Sequence, residues 1–174
     1  MMIVFLKSVL AALAAWAALG AWASAPVVAL SAGPQRVDLS ERMSVARLRA
    51  DEALDADALW EGGAGEAAAA QRVWRLAAGE RMVGRITLRG SRGRETHVIE
   101  VPAASVDEVR VWHREEGGAW RAAIAGDGVP LSRWPFASQY PAFPIAVGYA
   151  PVDVIVAVTN AGPLGVAVSI LPDA

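Results

Sequence analysis

The chain has 174 residues, a formal net charge of −2 and no cysteine, with 55% hydrophobic and 20% charged residues. This length suits one domain, or one domain with a tail, and the missing cysteines exclude disulfide frameworks, thiolate zinc sites and Cys nucleophiles. Two histidines, His97 and His113, are too few for a His-rich metal cage, and the weak acidity leaves no electrostatic footprint for nucleic acid.

The N-terminus carries one cation, Lys7, followed by an apolar run from Val9 to Trp22 and small residues at Ala21 and Ala23. This is the three-part pattern of a secretory signal. Cleavage is expected after Ala23, because a cut after Ala25 would set the rigid ring of Pro26 beside the scissile bond. The alternative is an uncleaved anchor, since Ser8 to Leu30 approaches the ~20 apolar residues of a bilayer span. Either reading exports the rest of the chain, to the periplasm or the outer side of the inner membrane. Residues 1–23 are thus read as a signal peptide, 24–36 as a linker and 37–174 as one folded domain.

Further along, Ser40 to Leu54 is ambiguous between helix and strand. Asp55 to Trp60 reads as one helical turn with Asp55 as its N-cap, and Gly62 to Gly65 as a loop tip. Ala67 to Ala70 has helix propensity but is too short to hold a helix alone. Period-two alternation then dominates. In Arg85-Ile86-Thr87-Leu88-Arg89 the apolar residues face one way; Thr96 to Val101 follows a turn-like stretch, a hairpin signal. Val109 and Val111 oppose Glu108, Arg110, Trp112 and Arg114. After the turn at Glu115 to Gly118, the return strand puts Trp120, Ala122 and Ile124 on one face. Ser132 to Pro144, with Pro135, Pro141 and Pro144, reads as an irregular crossover. Val152 to Thr159 and Val166 to Leu171 are nearly all apolar strands bracketing a turn at Asn160 to Pro163. Such strands at regular spacing indicate an all-β sandwich.

The ordered series from the strand pair Arg85–Gly90 and His97–Val101 carries a resemblance. It continues through Ser105 to Trp112, Trp120, Gly126-Asp127-Gly128-Val129-Pro130, Arg133-Trp134-Pro135 and Phe143-Pro144-Ile145 to the two closing strands. This series resembles the type 2 extracellular domain of the bacterial seven-transmembrane receptors with diverse intracellular signalling modules (7TMR-DISM). It departs from that pattern at Met82 to Ile86, where the family's aromatic-Leu-Arg-aromatic segment keeps only the arginine. The resemblance implies a jelly-roll-like β-sandwich similar to carbohydrate-binding modules. It further implies a periplasmic input domain that senses a small ligand for a membrane receptor, here without the membrane helices and output module. The implied partner is a small molecule or saccharide. The alternative is a periplasmic protein, or a second copy, docked on a sheet face.

Among individual residues, Trp112 lies between charged neighbours, the arrangement of a sugar-stacking platform, while Trp120 sits on an apolar face and reads as core. Trp134 and Tyr140 lie in the Pro-rich crossover, where they either cover the core edge or line a pocket. Asp127 has three readings: an Asx-type turn, pairing with Arg133, or ligand contact. Arg85 and Arg89 are expected on a polar face, solvated or matched across strands by Glu100, and as forked donors they are also ligand candidates. No Gly-x-Ser-x-Gly elbow is present. The carboxylate pairs Asp107-Glu108 and Glu115-Glu116 point to opposite strand faces, unlike a glycosidase couple. The expectation is a non-enzyme without cofactor or assigned metal site.

Overall fold

The computed structural model describes residues 24–62 and 65–173; the signal expected at 1–23 lies outside them. The strands in chain order are β1 (Val27–Leu30), β2 (Val37–Asp38), β3 (Ser44–Arg49), β4 (Glu66–Ala68), β5 (Trp74–Leu76), β6 (Glu80–Gly90) and β7 (Glu95–Glu100). They continue with β8 (Glu108–Glu115), β9 (Arg121–Ala125), β10 (Ala142–Val147), β11 (Val152–Thr159), β12 (Leu164–Val166) and β13 (Ser169–Pro172). Among the described residues one α-helix, α1 (Ala56–Glu61), lies between β3 and β4, and two 3-10 turns lie at Ser40–Arg42 and Leu131–Arg133. None of the described helices is long and apolar enough to cross a membrane.

Among the described residues a seven-stranded sheet runs β4-β3-β6-β11-β8-β9, with β1 paired to β6 in parallel. A four-stranded sheet runs β10-β7-β13-β2, and β5 pairs with β12. The fold is all-β, a sandwich of antiparallel sheets, as the period-two pattern predicts.

The alternation decides what each sheet buries. From the large sheet Met82, Ile86, Leu88, Val109, Val111 and the even-numbered valines of β11 point inward. From the small sheet Ile99, Phe143, Ile145 and Ile170 meet them. Burying each such side chain contributes roughly 1.5–3 kcal/mol, and this layer is the main core. The strand β11 reads as a continuous apolar run because both of its faces are covered: Ile155 and Ala157 point away from the core and are nonetheless buried.

Gly84 has a packing reason. A Cβ there would stand 2.5 Å from the tip of the Trp74 ring and 2.8 Å from the Met43 sulfur. Only glycine lets the indole approach β6 this closely. The Trp74 N–H in turn donates to the Ser40 carbonyl (3.3 Å).

Four sequence expectations change. The segments Arg85–Arg89 and Thr96–Val101 do not form a hairpin: β6 belongs to the large sheet and β7 to the small one. The stretch between them turns the chain from one layer to the other, which local alternation cannot reveal. Val166 to Leu171 is not one strand, since β12 pairs with β5 and β13 with β7. The stretch read as a linker supplies β1, whose Val28 and Leu30 enter the core. The Pro-rich crossover ends in β10, where Pro144 is tolerated because β10 is an edge strand. The helical turn at Asp55 is present as read: the Asp55 carboxylate accepts from the Ala58 N–H at 2.8 Å.

Candidate ligand-binding site

The outer face of the large sheet is not open. The segment from Leu54 through α1 lies across it, and a second apolar cluster forms beneath from Leu48, Leu59, Val83, Trp112 and Ile155, with Trp60 and Trp120 at its edge. Cross-strand register builds the polar rows of this face. Ile155 on β11 stands between Arg85 on β6 and Trp112 on β8, each its direct cross-strand partner. Trp112 is 7% exposed, covered by this cluster, and the Arg110 guanidinium stacks over its ring at 5.7 Å.

Two arginines hold the cover. Arg81 donates to the carbonyls of Ala50 and Glu52 and to the Thr159 hydroxyl, each at 2.8 Å. Arg85 donates to the Trp60 carbonyl near the end of α1, where the helix dipole favours a cation. Burial lowers the pKa of both guanidinium groups; the carbonyls repay part of that desolvation. The expected solvation of Arg85, and its match to Glu100, therefore do not hold. Arg85 is 3% exposed, and Glu100 lies in the other sheet, paired with Arg36 at 2.7 Å.

At the edge of the cover, Arg114 stacks on Trp120 (4.2 Å) and faces Trp60 (5.8 Å). It bonds Asp153 and Asp57, each at 3.3 Å. The Trp120 N–H donates to Asp57 at 2.8 Å. Arg114 is thus spent on structure, tying β8 and β11 to the helix.

Beside it opens a cavity of about 670 Å³, where the β8–β9 hairpin stands next to β10, an edge strand of the small sheet. Its polar walls include Arg94, Thr96, His113, Glu115 and Arg121, and its floor includes Pro144 and Val152. Arg94 and Glu115 neutralise each other across the rim at 2.7 Å. His113 and Arg121 are direct cross-strand partners, so their side chains stand side by side on one face. Burial pushes the His113 pKa below its usual 6.5; Arg121 pushes it the same way and Glu115 opposes both.

The remaining candidates are scattered. Asp127 and Trp134 share a shallow depression with Gly126 and Leu131. The Trp134 N–H donates to the Val129 carbonyl (3.0 Å), and its ring packs on the main core. Asp127 makes neither the Asx bond nor the ion pair with Arg133 among the described residues; instead its N–H donates to Val106. The turn depends on Gly126, whose φ of +133° is open only to glycine and whose Cβ would meet the Asp107 carbonyl at 2.5 Å. Arg133 borders a small separate hollow with Arg110 and Ile124. Arg89 donates to the Tyr149 carbonyl at 3.0 Å, and Tyr140 is half-buried with its N–H on the Ser138 hydroxyl. Trp112 and Arg85 therefore come together under the cover, Asp127 and Trp134 at a loop, and the others stay apart. Among the described residues no three acidic or histidine side chains gather to hold a metal ion.

Sequence reasoning passed over the His113–Arg121 pair. Its signal was present: a hairpin closed at Glu115 to Gly118, with Trp120, Ala122 and Ile124 on one face, leaves Arg121 on the face of Val109, Val111 and His113.

Comparison with known structures finds TmCBM61 in complex with β-1,4-galactotriose, at 11% identity and a TM-score of 0.38, covering 80% of this chain and 88% of that one. An exo-β-1,3-galactanase from Phanerochaete chrysosporium, solved with galactose, matches at 8% identity and a TM-score of 0.37, covering 82% of this chain. The matched region spans 30% of the galactanase chain. A structure from a study of promiscuous carbohydrate-binding modules of the β-sandwich superfamily matches at 9% identity and a TM-score of 0.33, over 81% of this chain and 55% of that one. No curated protein sequence matches the chain. A family model described as 7TMR-DISM extracellular 2 matches residues 84–171. That span runs from the glycine under Trp74 to the last strand of the small sheet, taking in the hairpin, the cavity and most of both inner faces, and the chain belongs to this family of receptor extracellular domains.

Proposed function

We propose that this domain is the periplasmic ligand-sensing input of a membrane signal-transduction receptor, and that it takes a small polar molecule, saccharides among them. Membership of an extracellular receptor-domain family supports the setting. The observation that carries the ligand is the cavity beside the β8–β9 hairpin, about 670 Å³, within the ~300–1,000 Å³ of small-molecule sites. It joins polar groups able to bond hydroxyls (Thr96, His113, Arg121) to apolar floor atoms from Pro144 and Val152, the mixture that a polyhydroxylated ligand requires. The outer sheet face, closed by α1, fits a structural role better than an open stacking surface, although Trp112 would become available if the cover moved. The downstream receptor would read occupancy of the cavity as a change in how the hairpin sits against β10.

The test is a thermal-shift screen of the full chain against neutral and acidic monosaccharides and small metabolites at millimolar levels. The expected result is a rise in Tm with at least one class, abolished by Ala146→Trp, which fills the cavity from β10. No shift with any class would overturn the sensing reading.

A further inference from the structure

We infer that the cavity beside the β8–β9 hairpin is an anion site, selective for small ligands that carry a carboxylate, with Arg121 as the binding cation and His113 as a hydrogen-bond donor next to it. The inference rests on the proposed sensing role and names the ligand chemistry of that same cavity.

The charge inventory of the walls decides the point. Arg94 and Glu115 form a 2.7 Å ion pair at the rim, which sets one of the cations against Glu115, the one carboxylate among the described lining residues. Arg114 is bound to Asp153 and Asp57 and stacked on Trp120. Arg121 remains. Its side chain has no ion pair or hydrogen bond among the described residues, and it is exposed. The cross-strand register fixes His113 beside it. Burial and Arg121 both disfavour the charged form of that imidazole, and its neutral ring offers one N–H as a donor without adding repulsion to the guanidinium. A planar carboxylate matches the fork of an arginine, and Thr96, across the opening on β7, offers a hydroxyl to the rest of the ligand.

An anion seated there would favour protonation of His113. The charges facing the imidazole are Arg121 from β9, Glu115 and Arg114 from β8 and Arg94 at the start of β7, while β10 and β11 contribute Pro144, Ala146 and Val152. Ligand affinity should therefore strengthen as the pH falls from 8 to 6, over which a sugar carboxylate stays ionised.

The experiment is calorimetric titration of the full chain with glucuronate, glucose, succinate and inorganic phosphate, in wild type, Arg121→Gln and His113→Gln. Arg75→Gln, an exposed arginine on β5, is the control. Glucuronate should bind at least tenfold more tightly than glucose. Loss of a charge-assisted bond in Arg121→Gln should weaken glucuronate by roughly tenfold or more and weaken glucose much less. His113→Gln should flatten the pH dependence, and Arg75→Gln should change nothing. Succinate binding as well as glucuronate assigns the site to carboxylates in general; glucuronate alone assigns it to acidic sugars. Phosphate binding more tightly than either carboxylate would overturn the carboxylate assignment. Glucose matching glucuronate, with Arg121→Gln silent, would overturn the inference and leave the sensing reading standing. Binding by none of the four probes also overturns the inference, and the broader screen above then decides the sensing reading separately.

Discussion

The two faces of the large sheet are built on different physics. The inner face is aliphatic and meets the small sheet in a continuous layer. The outer face carries Arg81, Arg85, Trp112 and Arg114 and is covered by one short segment fixed through carbonyl hydrogen bonds and ring contacts. The first surface is stabilised by non-directional burial. The second is held by a few directional bonds, each of which can be removed singly. The difference teaches where the molecule can open without unfolding: strain on the cover costs a few local bonds, while strain on the inner layer costs the whole fold.

The inner layer offers the largest test. Ile86→Ala removes a fully buried side chain and should destabilise by about 2–5 kcal/mol, read as a lower urea midpoint with hydrogen exchange raised throughout both sheets. Exchange raised only in residues 50–62 would break the comparison. A related effect is expected at Gly84→Ala, where the new methyl group must displace the Trp74 ring. Overpacking of this kind costs about 1–3 kcal/mol, and near-ultraviolet circular dichroism should report the moved indole.

The outer face predicts a different pattern. Arg81→Met keeps the apolar stem but leaves the Ala50 and Glu52 carbonyls without their donor. The expected loss is about 1–3 kcal/mol, with exchange accelerated from Ala50 through α1 and the inner strands left protected. Smaller again is Asp55→Ala, which deletes the N-cap of α1 and should cost about 1 kcal/mol. It should increase fluorescence quenching of Trp60 by iodide more than it lowers Tm. Were Arg81→Met to unfold the sheets together, the cover would be part of the main core.

Much of this architecture was legible in the residues themselves. Strands β8 and β9 follow from alternation, β11 follows from its nearly unbroken apolar run, and α1 follows from Asp55 because a cap acts over three residues. What failed was non-local. Alternation around Ile86 and Val98 cannot say that the two strands pair with different partners. Pro144 argued against a strand because the sequence does not show which strands lie at an edge. The site was less legible for the same reason. The charged residues flanking Trp112 suggested an open face, whereas the segment that covers it begins at Leu54, more than fifty positions away. Arg85 looked solvated because its partner is a backbone carbonyl, which no side-chain pattern encodes. His113 and Arg121 were readable through hairpin register, but the β10 edge that completes their cavity was not.

The smallest predicted effect separates the cavity from both faces. His113 is harder to protonate in the folded chain than in the unfolded one, because burial and Arg121 outweigh Glu115. Above about pH 6.5, both states hold it neutral and its titration contributes nothing to the pH dependence. As the pH falls below that value, the unfolded chain takes up a proton that the folded chain refuses, and stability declines until the folded group titrates as well. Carboxylates begin to contribute near pH 5 and would mask the effect, so the measurement is urea unfolding between pH 7.5 and 5.5. It is read as the difference between wild type and His113→Gln. Wild type should lose stability relative to the variant on acidification, and the loss should shrink in Arg121→Gln, which removes one of the two causes. A wild type that gains stability on acidification would mean that Glu115 governs the imidazole. The Arg94 bridge would then be open in solution, and the cavity would present a carboxylate where an anion site needs none.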